Sequence, residues 1–204
     1  MDLIVVTHGA IDCPADLCVG QSDLALSTSG FTAIQRLAAS WDMPSPRFLF
    51  SSDLRRAKQS AQVFAAHLAT EPLFDPRLRE IDMGEWQDRQ WEQIALDDRQ
   101  RYRHWLDNPI IQAAPGGESF TDLLRRTGTW LASLLTSTED WDTVVAVVHA
   151  STLRALLCHS LGLSPARSRH IAADPAHASQ IRYRDGQFEV SYLNASRFQD
   201  DQHG

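Results

Sequence analysis

Two histidines stand directly after the most apolar segments of this chain. His8 follows the run at residues 3–7, and His149 follows the run at residues 144–148. Short runs rich in valine and isoleucine are typical of strands buried on both faces, so each histidine is predicted at the C-terminal end of a strand. Open α/β sheets bind ligands at that edge. Because arginine and glutamate motifs lie between the two histidines in the sequence, our first hypothesis is a site that handles phosphate.

Strands and helices alternate along most of the chain, which predicts the elements that would position these side chains. Strands are predicted at residues 3–7, 47–51, 72–74 and 143–148, and helices at 27–41, 87–105, 118–135, 151–161 and after a cap at Ser52. The runs 180–184 and 187–193 predict a terminal hairpin with a type I′ turn at Asp185-Gly186. The whole chain, residues 1–204, is therefore predicted to be one domain: an α/β fold, a three-layer α/β/α sandwich with a mostly parallel central sheet and a frayed tail after about residue 195.

Composition excludes several classes of function. The formal net charge of −7 argues against binding to nucleic acid or to a membrane surface. The sequence has neither a signal-type segment nor an apolar stretch long enough to span a bilayer, so we expect a cytoplasmic protein. Its three cysteines, Cys13, Cys18 and Cys158, lack the spacing of a metal site and are expected to be free thiols. Lys58 is the only lysine, which excludes a Walker-type phosphate loop.

Four motifs that could act on phosphate succeed one another along the chain. They are Thr7-His8-Gly9, Ser51-Ser52-Asp53-Leu54-Arg55-Arg56-Ala57, Leu78-Arg79-Glu80 with Gly84-Glu85-Trp86, and His149-Ala150-Ser151. In this order they resemble the fingerprint of the histidine phosphatase superfamily, in the branch that contains phosphoglycerate mutases and small-molecule phosphatases. That fingerprint reads Arg-His-Gly, Ser-Ser-x-Leu-x-Arg-Ala-x-Gln-Thr-Ala, Leu-Arg-Glu and His-Gly. The resemblance covers nearly the whole chain and implies a phosphoglycerate mutase-like fold.

The resemblance implies a role for each of four side chains. His8 would attack phosphorus and carry the phosphoryl group, and Arg56 would bind the equatorial oxygens bidentately. His149, as an imidazolium, would donate a further hydrogen bond to the transferring group. Glu80 would protonate the leaving oxygen and then help to activate water; it is preferred over Glu85 only because it fills the Leu-Arg-Glu position. No metal and no cofactor is implied, because positively charged side chains stabilise the developing charge.

Further contacts with the phosphoryl group or the substrate are expected from Thr7, Gly9, Gln21, Ser22 and Ala150. Two of these depart from the family pattern, since Thr7 stands where the family has an arginine and Ala150 where it has a glycine. Threonine offers one neutral hydroxyl where a guanidinium would offer five donors. A charge-assisted bond is worth roughly 1.5–3 kcal/mol, and losing one from a transition state costs on the order of 10²–10³ in rate. The change lowers the expected affinity and turnover but not the expected stability of the fold.

The motifs support three hypotheses about function. The first is a working, metal-independent phosphatase whose partner is a small phosphorylated metabolite and whose assembly is a homodimer. The second is a catalytically degenerate member that binds a phosphorylated ligand or a protein partner. The third is a phosphoglycerate mutase. It ranks last because mutases of this family carry a longer insertion between the loop that contains Glu80 and the second histidine, and this chain is compact there.

One segment refines the first hypothesis. Residues 18–26, Cys-Val-Gly-Gln-Ser-Asp-Leu-Ala-Leu, are similar to the Cys-Tyr-Gly-x-x-Asp-x-Pro-Leu segment of α-ribazole phosphatases, with Val19 and Ala25 replacing tyrosine and proline. This similarity implies a substrate with an organic body behind the phosphate. Trp86 and Trp91 could pack against such a body, although core packing is expected for at least one of them.

Overall fold

A computed structural model describes residues 1–198 of the chain. Six strands form its sheet: β1 (Asp2–Thr7), β2 (Phe48–Ser51), β3 (Pro72–Phe74), β4 (Thr143–Val148), β5 (Ala178–Arg184) and β6 (Gln187–Ala195). Seven α-helices accompany them: α1 (Thr28–Ala39), α2 (Arg55–Leu68), α3 (Trp91–Asp97), α4 (Arg99–Asp107), α5 (Phe120–Leu135), α6 (Ala150–Leu161) and α7 (Pro165–Ser168). Residues 78–86 contain Glu80, and we call them the acid loop. Short 3₁₀ turns at Pro76–Leu78 and Gly84–Trp86 lie at its two ends.

The sheet has the strand order β3-β2-β4-β1-β5-β6. Strands β1 to β4 pair in parallel, whereas β5 and β6 form an antiparallel hairpin beside β1. This confirms the predicted α/β class with a mostly parallel sheet. Asp185 and Gly186 both have positive φ, at 51° and 77°, as the predicted type I′ turn requires. Strands β1 and β4 are direct neighbours with Thr7 opposite Val148, so the two histidines that come next lie side by side.

Hydrophobic cores lie on both faces of the sheet, which makes the fold three-layered. One core joins alternate residues of β1 and β4, such as Leu3 and Val144, to helices α5 and α6. The other joins the intervening residues, such as Ile4 and Val145, to helices α1 and α2. Because both faces are covered, the strands are apolar throughout, as the sequence indicated. Their C-terminal ends are the positions where the first polar side chains can emerge.

The prediction of one continuous helix in the middle of the chain is wrong. Residues 87–105 were expected to form a single helix, but α3 ends at Asp97 and α4 begins at Arg99. Asp98 between them is not helical, with φ −125° and ψ 38°. Its carboxylate accepts hydrogen bonds from the indole Nε1 of Trp86 at 2.9 Å and from Nε of Arg101 at 2.7 Å. A tertiary contact with a buried tryptophan therefore interrupts a helical pattern.

Two further predictions need correction. Ser52 is not the N-cap of α2, because the helix begins at Arg55 and Leu54 is the capping residue. The tail does not fray immediately after residue 195: Phe198 is 4% exposed and packs edge-on against Trp41 and Phe64. This ring adds to the core beneath α1 and α2. The rest of the predicted frayed tail, residues 199–204, lies outside the described residues.

Candidate active site

The two histidines meet at the C-terminal edge of the sheet. Their ring centroids are 4.9 Å apart with the planes at 61°, so one ring presents its edge to the other. His8 follows β1 and is partly exposed, whereas His149 follows β4, caps α6 and is fully buried. The predicted pairing of two imidazoles at one sheet edge is therefore present.

The protonation of His8 is set by its hydrogen bonds. Its Nδ1 lies 2.7 Å from the carbonyl oxygen of Gly9, which can only accept, so Nδ1 carries the proton. The other ring nitrogen, Nε2, accepts a hydrogen bond from Nε of Arg56 at 3.2 Å. Burial, with the neighbouring Arg56 charge as a lesser cause, lowers the pKa of His8 to about 4. At neutral pH the ring is neutral, with a lone pair available on Nε2.

His149 differs from its predicted state. Burial, and secondarily the neighbouring His8 and Arg56, lower the pKa of His149 well below its usual value, so the ring is neutral and not the expected imidazolium. Its Nε2 lies 2.8 Å from Oγ of Ser52. The Nδ1 atom is buried and has no hydrogen-bond partner among residues 1–198. A buried polar atom without a partner is uncommon and is a candidate to meet a ligand.

More of the hydrogen-bond donors of Arg56 are bound by the protein itself than the sequence suggested. This arginine lies in the first turn of α2 and is 1% exposed. Its two terminal nitrogens donate to the carbonyl oxygens of Ser22 at 2.7 Å and Gly20 at 2.8 Å. Its Nε is therefore the part of the guanidinium that contacts His8, and the two terminal nitrogens hold the loop before α1.

Glu80 lies across the site from the end of the sheet, at the N-terminus of α6. Its Oε2 accepts from the backbone N–H of Ser151 at 3.3 Å, and its Oε1 accepts from Ile81 at 2.8 Å. Ser151 belongs to the first turn of the helix that His149 caps. The carboxylate thus uses the free N–H groups and positive dipole end of that helix.

Arg126, on helix α5, holds the acid loop, and sequence reasoning missed it. Its guanidinium donates to both carboxylate oxygens of Glu118, at 2.8 and 2.9 Å. It also donates to the carbonyl oxygens of Arg77, Arg79 and Glu80, at 2.7–2.8 Å. Glu118, two residues before α5, thus belongs to this network. An arginine that binds main-chain carbonyls has no sequence motif, so no local signal could have identified it.

A cavity of about 340 Å³ lies beside three of these groups, and the fully buried His149 is not among the residues that line it. His8, Arg56 and Glu80 line it, and Ser151 adds a polar edge. The remaining lining is glycine or apolar: Ile11, Cys18, Val19, Gly20, Ile81, Met83, Trp91 and Trp105. Trp86 is fully buried and belongs to the core, whereas Trp91 faces the cavity. We call His8, Arg56 and His149 the histidine floor, and Ile81, Met83, Trp91 and Trp105 the apolar wall.

Three residues that were expected to contact phosphate do not line this cavity. The hydroxyl of Thr7 donates to the carbonyl oxygens of Asp174 and His177, toward the loop before β5. Gly9 donates its N–H to Ser60, and a Cβ there would lie 2.5 Å from the carbonyl oxygen of Gly30, so close packing of the chain against α1 explains the glycine. Ala150 begins α6, and its neighbour Ser151 is the residue at the cavity.

Gln21 and Ser22 shape the site through their hydrogen bonds. Gln21 Nε2 donates to the carbonyl oxygen of Glu80 at 3.0 Å, which ties the loop before α1 to the acid loop. Ser22 accepts from Arg56 through its main chain, while its side-chain oxygen is buried without a partner in the described part of the chain. Neither residue lines the cavity.

Two further properties bear on the class of site. Within residues 1–198, no three or more histidine, cysteine, aspartate or glutamate side chains are grouped so that they could hold a metal ion. The same residues contain no helix with the length and apolar character needed to cross a bilayer. Cys13, Cys18 and Cys158 are free, as predicted.

Comparison with known proteins places this geometry in a family. The family model of the histidine phosphatase superfamily (branch 1) matches residues 3–196. A curated relative, the "Probable phosphoglycerate mutase GpmB" of Salmonella choleraesuis, is 29% identical over 192 residues, which cover 94% of this chain and 89% of that protein. The solved structure of the alpha-ribazole phosphatase of Shigella flexneri shares the fold, with a TM-score of 0.91 at 22% identity over 98% of this chain and 100% of that one. A mycobacterial glucosyl-3-phosphoglycerate phosphatase in complex with VO3 gives a TM-score of 0.84 at 29% identity, over 95% and 98% of the two chains.

Proposed function

The chain belongs to branch 1 of the histidine phosphatase superfamily, and on that premise we propose that it hydrolyses a small phosphomonoester through a phosphohistidine at His8. The observation that carries the proposal is the state of His8. Its ring is neutral, its Nε2 lone pair lies beside Arg56, and Glu80 lines the same cavity. A nucleophile, a cation and a carboxyl group around one cavity are the parts that phosphoryl transfer requires.

In the first half-reaction, Nε2 of His8 attacks phosphorus, and the bond from phosphorus to the ester oxygen breaks. Glu80, as a carboxylic acid, gives its proton to the departing oxygen, so the alcohol leaves neutral. Arg56 transfers its Nε hydrogen bond from His8 to an equatorial oxygen of the phosphoryl group. The unpartnered Nδ1 of His149 is the second protein atom available to that group, as a neutral donor.

In the second half-reaction, water attacks the phosphohistidine. Glu80, now a carboxylate, takes a proton from the water as the nitrogen–phosphorus bond breaks. His8 returns to its neutral state and inorganic phosphate leaves. The sum is one ester and one water converted to one alcohol and one phosphate, with positive charge supplied by Arg56 and without a metal.

The candidate substrate is α-ribazole phosphate. The support for it is the segment at residues 18–26 and an apolar wall that suits an organic body next to the phosphate. The relatives named for phosphoglycerate and glucosyl-3-phosphoglycerate point to other esters, so the test must compare all three compounds.

The test is hydrolysis of a panel of phosphomonoesters by the wild-type protein and by His8→Ala, with and without EDTA. We expect phosphate release by the wild-type protein that persists in EDTA and disappears in His8→Ala. Brief mixing with a ³²P-labelled ester, followed by alkaline quench and digestion, is expected to leave label on the peptide that contains His8. Full turnover by His8→Ala would refute the assignment of the nucleophile.

Two alternatives have their own outcomes in this assay. The catalytically degenerate hypothesis is favoured by Thr7, which stands where the family has a phosphate-binding arginine, and it predicts binding of esters without phosphate release. Thr7→Arg should then raise activity only if the new side chain reaches the cavity, which the hydroxyl of Thr7 does not. The mutase hypothesis predicts exchange between the phosphoglycerates in place of phosphate release.

A further inference from the structure

The cavity beside His8 offers almost no charge to the alcohol part of a substrate. Of the described residues that line it, only Arg56 and Glu80 carry charged side chains. The terminal nitrogens of Arg56 are bonded to main-chain carbonyls, and its Nε faces the nucleophile. A second anionic group close to the ester would therefore find no available cation among the described residues that line this cavity.

Two of the residues that line the cavity are tryptophans that stack on one another. Trp91 and Trp105 stack with their centroids 5.7 Å apart and their planes 18° from parallel. Trp105 also packs at 90° against the fully buried Trp86, whose Nε1 is anchored by Asp98. The indoles are thus held in place before any ligand arrives, which favours a rigid ring over a flexible polar chain.

There is room for a body larger than a three-carbon chain. A second cavity of about 370 Å³ shares Ile81, Met83, Trp105 and Ser151 with the first. Arg154 and Arg169 line only this second cavity. An alcohol can extend along the apolar wall into the second cavity, and a negative charge on it would meet Arg154 or Arg169 only there.

We propose that the substrate is a phosphomonoester of an uncharged, ring-bearing alcohol, and that Trp91 and Trp105 select for the ring while the lack of a second cation near His8 selects against a carboxylate beside the ester. This inference rests on the proposed function for its assay. It excludes phosphoserine and the phosphoglycerates, whose carboxylates lie within a few bonds of the phosphate.

Matched esters test each half of the proposal. Glycerol 1-phosphate and 3-phosphoglycerate share a carbon skeleton and differ in the carboxylate, whereas benzyl phosphate supplies a ring. We expect kcat/KM to be about tenfold or more higher for benzyl phosphate than for glycerol 1-phosphate, and about tenfold higher for the latter than for 3-phosphoglycerate. Equal or faster turnover of 3-phosphoglycerate overturns the proposal.

Tryptophan variants test the wall itself. Trp91→Ala, or Trp91→Leu if alanine impairs folding, is expected to lower kcat/KM for benzyl phosphate about fivefold or more beyond any loss for glycerol 1-phosphate. Trp141→Ala is the matched control, because Trp141 is 77% exposed and lines neither cavity; it should leave the ratio unchanged. An equal loss for both esters in the Trp91 variants would contradict ring selection.

Phosphonates, which cannot be hydrolysed, separate this proposal from the proposed function. In calorimetric titration, benzylphosphonate is expected to bind about tenfold more tightly than 3-phosphonopropionate. Tighter or equal binding of 3-phosphonopropionate, or no binding of either compound, overturns the ligand class whether or not esters are hydrolysed. If the protein prefers benzylphosphonate but shows no His8-dependent hydrolysis, the proposed phosphatase function is refuted while the proposed ligand class is supported.

Discussion

His8 and Arg56 of the histidine floor line the same cavity as the apolar wall, with His149 buried behind them, but different parts of the chain hold the floor and the wall. The floor comes from strand ends and the first turns of helices, where the parallel register of β1 and β4 fixes the positions of His8 and His149. The wall comes from the acid loop, α3 and α4, which pack on a separate cluster around Trp86 and Ile94.

This difference separates chemistry from selection. The floor needs neutral imidazoles at fixed distance, and burial in the rigid sheet edge provides both the position and the lowered pKa values. The proposed role of the wall, selection of the alcohol part of the substrate, depends on the shape of its surface. That shape comes from the packing of aromatic side chains on short helices. Changes in the floor should therefore alter turnover for every substrate, and changes in the wall should alter the preference among substrates.

The largest expected effect comes from removing the proposed nucleophile. His8→Ala should lower kcat on the order of 10³-fold or more for every ester, because no other residue of the floor can form the phosphoryl intermediate. Thermal unfolding should change little, since His8 is partly exposed and its side chain, within residues 1–198, hydrogen-bonds only to Gly9 and Arg56, while its main-chain bonds to Val148 and Ala176 remain in the variant.

The control for this variant is His67→Ala, which removes a histidine from the last turn of α2, away from the cavity. It should leave turnover unchanged. If His8→Ala loses activity toward some esters only, the floor also takes part in substrate selection. That result would contradict the division of roles between the floor and the wall.

The next effect tests the link between the two regions. Arg126→Ala should remove the bonds to the carbonyl oxygens of Arg77, Arg79 and Glu80. It should also leave Glu118 without its ion-pair partner. We expect a loss of about 2–4 kcal/mol in the free energy of unfolding and a fall in kcat of roughly 10–100-fold, since Glu80 loses its position. Denaturant unfolding and steady-state kinetics measure these two quantities.

Arg125→Ala is the matched control for Arg126, one residue earlier on the same helix. Its side chain is 72% exposed and pairs with Asp122 at the surface, so the free energy of unfolding should fall by less than about 1 kcal/mol. If Arg126→Ala lowers stability but leaves kcat unchanged, Arg126 supports the core and does not position Glu80.

The sequence predicted the floor better than the wall, for physical reasons. Strand ends are marked by local patterns, so His8 and His149 could be placed at one edge from the sequence alone. The break at Asp98, the bonds of Arg126 and the burial of Phe198 depend on partners that are distant in sequence. The direction of the Thr7 side chain could not be predicted for the same reason, because a motif states which residue is present and not which way its side chain turns.

The third effect is the dependence on pH. The pKa of His8 is about 4 in the folded protein against 6.5 for an ordinary histidine, so the unfolded chain takes up the proton first. The contribution of His8 to the free energy of unfolding is therefore complete above pH 6.5 and is lost as the pH falls toward about 4. Burial of His149 acts in the same direction.

Nuclear magnetic resonance can follow these two rings directly, with assignments from the His8→Ala and His149→Asn variants. Neither ring should titrate between about pH 5 and 8 in the folded protein, whereas both should titrate near pH 6.5 in urea. A midpoint near 6.5 for His8 in the folded protein would show that the floor does not hold it neutral.

The smallest effect on turnover is expected at Thr7. Its hydroxyl is bonded to carbonyl oxygens of Asp174 and His177, on the side away from the cavity, so Thr7→Val removes a hydrogen bond while keeping the shape. The free energy of unfolding should fall by about 1–3 kcal/mol, because two carbonyls lose a donor, and kcat/KM should change less than about twofold. Thr7→Ser, which keeps the hydroxyl, is the control. A loss of kcat/KM without a loss of stability would show that Thr7 contacts the phosphate after all. Thr7 would then belong to the histidine floor, although it does not line the cavity.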